Sequence, residues 1–230
     1  MKRRVFLGTV GVAGLVTTAG CLSGDDSPEN MVLSQQDDLP GNPEDFSYPA
    51  YGQPVPSVEL PDPIAEETID ISTLDRTAVL TTFFAECPAE CGILINNLAG
   101  VQALLDERGQ TDNVRFLAIT FDPERDDADR LRENAQTNGV SLDTGNWHYL
   151  RPDSDDEAES VVIDTLGIPF QRVDESDRMV GYDFDHAVIT LLVNPGGVVE
   201  RVYRGENFDR EQLASDAETV IDEYDPDEHA

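Results

Sequence analysis

Apolar side chains fall into two periodicities along the chain. Val58-Glu59-Leu60 and Thr68-Ile69-Asp70-Ile71 alternate apolar with polar, as half-buried strands do, and predict an N-terminal β-hairpin. Ala78 to Phe84 and Val114 to Thr120 are near-continuous apolar runs that read as central strands. Ala187 to Val193 is a third such run. It turns at Asn194-Pro195-Gly196-Gly197 into a returning strand, Val198 to Tyr203. Ile93, Leu94, Leu98, Val101, Leu104 and Leu105 follow helical spacing within Cys91 to Glu107, with Gly109 as a stop. Asp126 or Asp127 can cap a second helix that runs to about Asn138 and closes at Gly139. Trp147 to Leu150 predicts a short strand, Asp155 to Leu166 a helix ending at Gly167, and Phe208 to Tyr224 the last helix. Gln171 to Asp185 is charged and reads as a loop or hairpin.

That order, with strands and helices alternating before a final hairpin and helix, predicts a thioredoxin-like α/β fold. A central mixed sheet is flanked by helices, with the N-terminal β-hairpin as an extension. In such open sheets function gathers at the carboxyl ends of the strands. Cys87 and Asp122 both stand just past such ends. The globular unit is expected over residues 51–225, with 226–230 a tail.

The first 50 residues change the picture from a free domain to a tethered one. Lys2-Arg3-Arg4 followed by the short apolar stretch Val5 to Ala19 reads as an export signal over residues 1–21. Arg3-Arg4-Val5-Phe6-Leu7 resembles a twin-arginine signal. Thr18-Ala19-Gly20-Cys21 resembles a lipobox, which makes Cys21 the expected site of lipidation. Residues 22–50 are polar and acidic and read as a flexible tether. Together they predict a lipid-anchored protein of the cell membrane, with its domain on the extracytoplasmic face.

Charge then narrows the partners. There are 47 acidic and 15 basic residues, for a net charge of −32, and Lys2 is the single lysine. This reads as a solvated acidic coat that keeps the protein soluble, and it resembles proteins of salt-loving archaea. The sequence offers no basic patch, so a nucleic-acid partner is not expected.

The candidate chemistry centres on Cys87-Pro88-Ala89-Glu90-Cys91. With Cys21, these are the only cysteines, too few for a disulfide framework. If the helix begins at or just before Cys87, both sulfurs lie on one face near its N-terminus, which favours thiolates. Such a pair either exchanges electrons or grips a soft metal such as Cu(I). Of the three histidines, His229 lies in the tail and His148 in an apolar stretch that suits a structural role. His186 stands just before the strongest strand, at the point that faces the two-cysteine turn in a thioredoxin-like layout. From position alone it is equally a ligand or a strand-end histidine bonded to backbone. A zinc site would need a fourth ligand such as Asp122, although Asp-Pro more often enters a loop or helix.

Phe83-Phe84-x-x-Cys87-Pro88-x-x-Cys91, Asp122-Pro123-Glu124-Arg125-Asp126, Asp185-His186-Ala187 and the Asn194-Pro195-Gly196-Gly197 turn together resemble the Sco/SenC family of membrane-tethered, thioredoxin-like copper proteins. The resemblance spans roughly residues 50–225. It implies one copper ion per chain, held by Cys87, Cys91 and His186. It implies a metallochaperone rather than a conventional enzyme, delivering copper to the binuclear copper site of cytochrome c oxidase subunit II or reducing the cysteines there. The chain departs from the family pattern at Gly92, Ala187 and Glu90 without losing a ligand. Glu86 and Glu90 are expected to raise the thiol pKa values. The alternative is a thiol-disulfide oxidoreductase acting through Cys87 and Cys91. Three residues rather than two separate the cysteines, and Asp185-His186 stands where such enzymes carry a proline. A peroxiredoxin would want threonine at position 84, which is Phe84. Detergent-phase partitioning of the full chain is expected to disappear in Cys21→Ser. Partitioning that survives the substitution excludes lipidation there.

Overall fold

The structure of the protein, a computed structural model, describes residues 30–37, 39–87, 90–173 and 182–226. The expected signal with Cys21, the first part of the expected tether, and His229 lie outside the described residues. No described helix is long and apolar enough to cross a membrane.

Strands β1 (Glu59–Asp62) and β2 (Glu67–Asp70) pair antiparallel as the expected hairpin. There follow β3 (Thr77–Phe83), α1 (Glu90–Glu107), β4 (Val114–Thr120), α2 (Ala128–Asn138) and β5 (Trp147–Leu150). The chain continues through α3 (Asp155–Ala158), β6 (Phe170–Val173), β7 (Asp183–His186), β8 (Ile189–Val193), β9 (Val199–Arg204) and α4 (Arg210–Glu223). Five strands form a mixed sheet in the order β5-β4-β3-β8-β9. β3 and β4 are parallel, as are β4 and β5, so α1 and α2 serve as crossovers. β8 runs antiparallel to β3, and β9 to β8. This is the thioredoxin-like α/β arrangement that the element order predicts. All seven residues of β3 are buried, which is why an unbroken apolar run marks it as central.

Three local details differ from expectation. The helix expected over Asp155 to Leu166 is α-helical only to Ala158 and then widens into a π-helical turn over Glu159–Thr165. Leu166 N donates to the Val161 carbonyl, five residues back, which keeps Val162 and Leu166 buried. At α2 the cap is Asp127, one of the two expected candidates, which accepts from Arg130 N at 2.8 Å, while Asp126 turns inward. β8 begins at Ile189 rather than Ala187. His186 instead closes β7, whose hairpin with β6 is a separate two-stranded sheet.

The third difference is the tether. Residues 22–50 read as flexible, yet from Asn30 the described chain is docked along β9. Leu33, Tyr48 and Ala50 are buried. The reason is Glu200, a fully buried carboxylate on β9. It accepts from Val32 N at 3.0 Å, Leu33 N at 2.9 Å and Asn194 Nδ2 at 2.8 Å. Farther along, the Gln36 side-chain amide pairs with Val202 as a neighbouring strand would, donating to its carbonyl and accepting from its N–H. Glu200→Ala removes the anchor and is expected to cost at least about 1.5–3 kcal/mol in denaturant unfolding, the worth of a single hydrogen bond to a charged acceptor. Limited proteolysis is expected to open the 30–36 segment in that variant. Unchanged cleavage there would remove Glu200 as the anchor.

Candidate metal centre

Three chain segments meet where β3 and β4 end and β8 begins. Past β3, Cys87 N donates to the Phe84 carbonyl at 3.4 Å and the chain turns into α1. Helix α1 is described from Glu90 on with Cys91 in its first turn, and Cys87 stands outside it. The expectation of both sulfurs on one helical face is therefore corrected. Cys87 Sγ instead takes the place of a capping acceptor, receiving the Cys91 N–H at 3.3 Å. That bond and the positive end of α1 both favour negative charge on Cys87 Sγ. Cys91 is buried and Cys87 half-buried, and no disulfide joins them.

From the opposite side β7 brings His186. Its Nε2 lies 3.6 Å from Cys91 Sγ and 3.9 Å from Cys87 Sγ. The three donor atoms all lie within 4.8 Å of one another, and among the described residues they are the only such group. A triangle of that size has a circumradius of about 2.1–2.4 Å, which matches metal–thiolate and metal–imidazole bond lengths. The residues present therefore fit a three-coordinate soft metal. Four-coordinate zinc fits less well. Asp122, the candidate fourth ligand, is buried and engaged by Arg125 Nε and by the Tyr182 hydroxyl at 2.9 Å. Glu90 Oε2 lies 4.0 Å from Cys87 Sγ but outside the three-donor group.

Burial pushes the Cys91 thiol well above its usual range, and the bond and charge of Cys87 and the charge of Glu90 add to that. For His186 burial works downward, but the hydrogen bond and negative charge of Cys87 outweigh it and hold the imidazole pKa above its ordinary value. The other ring nitrogen, Nδ1, is buried without a hydrogen bond. The neighbouring Ala187 N–H is spent on the Pro169 carbonyl at 2.9 Å. Glu86 pairs with Arg130 at 2.9 Å and Arg125 at 3.5 Å, and of the two glutamates it is Glu90 whose charge raises the Cys91 thiol.

Rings wall the imidazole. Phe84 lies edge-on with centroids 5.8 Å away and Phe121 at 5.4 Å. Phe184 and Phe170 pack behind Phe121 at 5.3 and 4.7 Å. His148 stays apart from this cluster. Its Nδ1 lies 3.1 Å from Asp62 and 3.3 Å from Glu67, so it fastens the β1–β2 hairpin to β5, the structural role its context predicts. The sequence marks the 122–126 loop as a motif, with Asp122 a candidate ligand and Asp126 a candidate cap, and does not foretell its contacts. Asp126 Oδ2 accepts from Ala85 N at 2.9 Å and from the Thr120 hydroxyl.

The family model described as SCO1/SenC matches residues 64–222, more than half of the chain. No curated protein matches. Among solved structures, yeast Sco1 with copper bound is 20% identical with a TM-score of 0.61, covering 77% of this chain and 92% of its own. A SCO1/SenC family lipoprotein from Bacillus anthracis is 18% identical with a TM-score of 0.60, covering 73% of this chain and 94% of its own. BsSco, a member of the Sco family of cytochrome c oxidase assembly proteins, is 20% identical with a TM-score of 0.60, covering 76% and 98%. At these identities the likeness is one of fold.

Burial pushes the Asp126 carboxyl from 3.8 up to about 7, although its bonds from Thr120 and Ala85 work the other way. Between those values the folded form binds a proton that the unfolded chain has released, so stability falls as pH rises through them. Asp126→Asn removes this titration. Relative to wild type, the variant is expected to gain on the order of 4 kcal/mol between about pH 4 and pH 8 in denaturant unfolding. A difference that does not change with pH would contradict the raised carboxyl.

Proposed function

The chain belongs to the SCO1/SenC family, and on that premise we propose that it binds one copper ion through Cys87, Cys91 and His186 in the service of cytochrome c oxidase assembly. The observation that carries this reading is the convergence of two sulfurs and one imidazole within 4.8 Å at the carboxyl ends of β3 and β4. Soft thiolates suit Cu(I), and imidazole accepts copper as readily. Two relatives support the assignment: yeast Sco1, which was solved with copper bound, and BsSco, from a family of oxidase assembly proteins.

The cargo passes by ligand exchange. Cys87 is the more exposed sulfur, so a partner thiolate reaches the metal there first, while buried Cys91 and His186 hold it until transfer is complete. The partner is the binuclear copper site of oxidase subunit II. A second use of the same sulfurs is favoured by the same asymmetry. Cys87 thiolate attacks a partner disulfide, Cys91 thiolate displaces the mixed disulfide, and two electrons pass to the partner as a Cys87–Cys91 disulfide forms. For the setting, we propose a lipid anchor at Cys21 and a domain on the extracytoplasmic face. The lipobox-like Thr18-Ala19-Gly20-Cys21 supports this, and the similar Bacillus anthracis protein is itself a lipoprotein.

Copper titration against a chromogenic Cu(I) chelator tests the ligand set. Wild type is expected to bind one equivalent. Cys87→Ala and Cys91→Ala are expected to lose tight binding, and His186→Ala to weaken it by at least about tenfold, or about 1.4 kcal/mol. Unchanged affinity in His186→Ala removes the third ligand. Wild type that binds no copper yet reduces a partner disulfide leaves only the second use.

A further inference from the structure

The 122–126 loop is absorbed by neither copper nor electron chemistry, yet it touches both halves of the site. Those halves are far apart in the chain, with Cys87 and His186 separated by 99 positions. They also lack a shared ladder, because β6 and β7 make a sheet of their own, apart from the sheet that ends at the cysteines. Asp126 holds the cysteine half through Ala85 N. Asp122 holds the histidine half through the Tyr182 hydroxyl. Arg125 holds both at once. Its guanidinium lies 3.8 Å over the Tyr182 ring and donates to the Tyr182 carbonyl at 3.2 Å. It pairs with Glu86, the residue before Cys87, at 3.5 Å and is itself fixed by Asp122. Only 15% of its side chain is exposed.

We propose that Arg125 is the positioning residue of the metal centre: it sets the distance between the β6–β7 hairpin that carries His186 and the turn that carries the cysteines. This rests on the copper reading above. A planar guanidinium is required, since it can stack on Tyr182 through its face while its edge serves Glu86, Asp122 and the carbonyl. A lysine ammonium can keep the ion pairs but cannot stack in that way. Without Arg125 the hairpin keeps its ring contacts with Phe84 and Phe121 and the Tyr182–Asp122 hydrogen bond, and loses the side chain that touches both halves directly.

The test is a double-mutant cycle with a copper-free readout beside it. Arg125→Met is expected to weaken Cu(I) binding by about 10–100-fold, the usual cost of losing a group that orients a ligand. In a His186→Ala background the same change is expected to cost less than about twofold, because the misplaced ligand is already gone. In the apo protein, amide hydrogen exchange of β6 and β7 is expected to quicken in Arg125→Met while β3, β4 and β8 keep their protection. Equal losses of affinity in both backgrounds overturn the proposal, and so does full affinity in Arg125→Lys. If wild type binds no copper, the copper reading fails on its own account and the exchange arm decides. A hairpin as protected as in wild type overturns the positioning role, and a selectively loosened hairpin supports it.

Discussion

Everything at the site hangs from the carboxyl end of β3. The strand is buried along its whole length and flanked by a parallel neighbour on one side and an antiparallel one on the other. That mixture decides which chain ends meet. A parallel partner brings the end of β4, and so the 122–126 loop, to the same edge as the cysteine turn. An antiparallel partner brings the beginning of β8, and so the residues just before it, to that edge. The cysteines, the acidic loop and His186 are neighbours in space because β3 cannot shift by one residue without turning its buried side chains to the other face.

The electrostatics of this edge run against the bulk charge. In a chain with a net charge of −32, the ground beneath the cysteines is held by Arg125 and Arg130, which take up Glu86 and Asp122. The charge of Glu90 bears on Cys91. The helix terminus and the Cys91 N–H favour a thiolate at Cys87, whereas burial keeps Cys91 a thiol until a metal arrives. A soft cation reverses that balance, since it replaces the missing counter-charge at both sulfurs.

Much of the fold was legible because apolar runs report burial directly. β3, β4 and β8 could be read that way, and β9 followed from its turn. The three donors were legible by type and by their place in a recurrent motif, although the geometry of Cys87 was not. Spacing alone could not say that α1 begins at Glu90. Other features left no mark in composition. A widened turn at Glu159–Thr165 depends on hydrogen-bond offset, to which side-chain type is nearly blind. Residues 30–37 lie in a stretch that is polar overall and reads as solvated. They dock because Glu200, on a strand, is buried beneath them, and a glutamate ordinarily reads as surface. Arg125 is hidden for the same reason, as one charge in a charged loop.

The docked N-terminal segment has a consequence for how copies of this protein coexist. A sheet edge with open N–H and C=O groups invites a second sheet to add on. Here the outer edge of β9 is occupied: Gly52 N donates to the Val199 carbonyl, Val199 N to the Gln53 carbonyl, and Gln36 covers Val202. The acidic coat also keeps copies apart, but only as far as its field reaches, about 3 Å in molar salt. The covered edge is a steric block supplied by the chain itself, and it is as effective in brine as in dilute buffer.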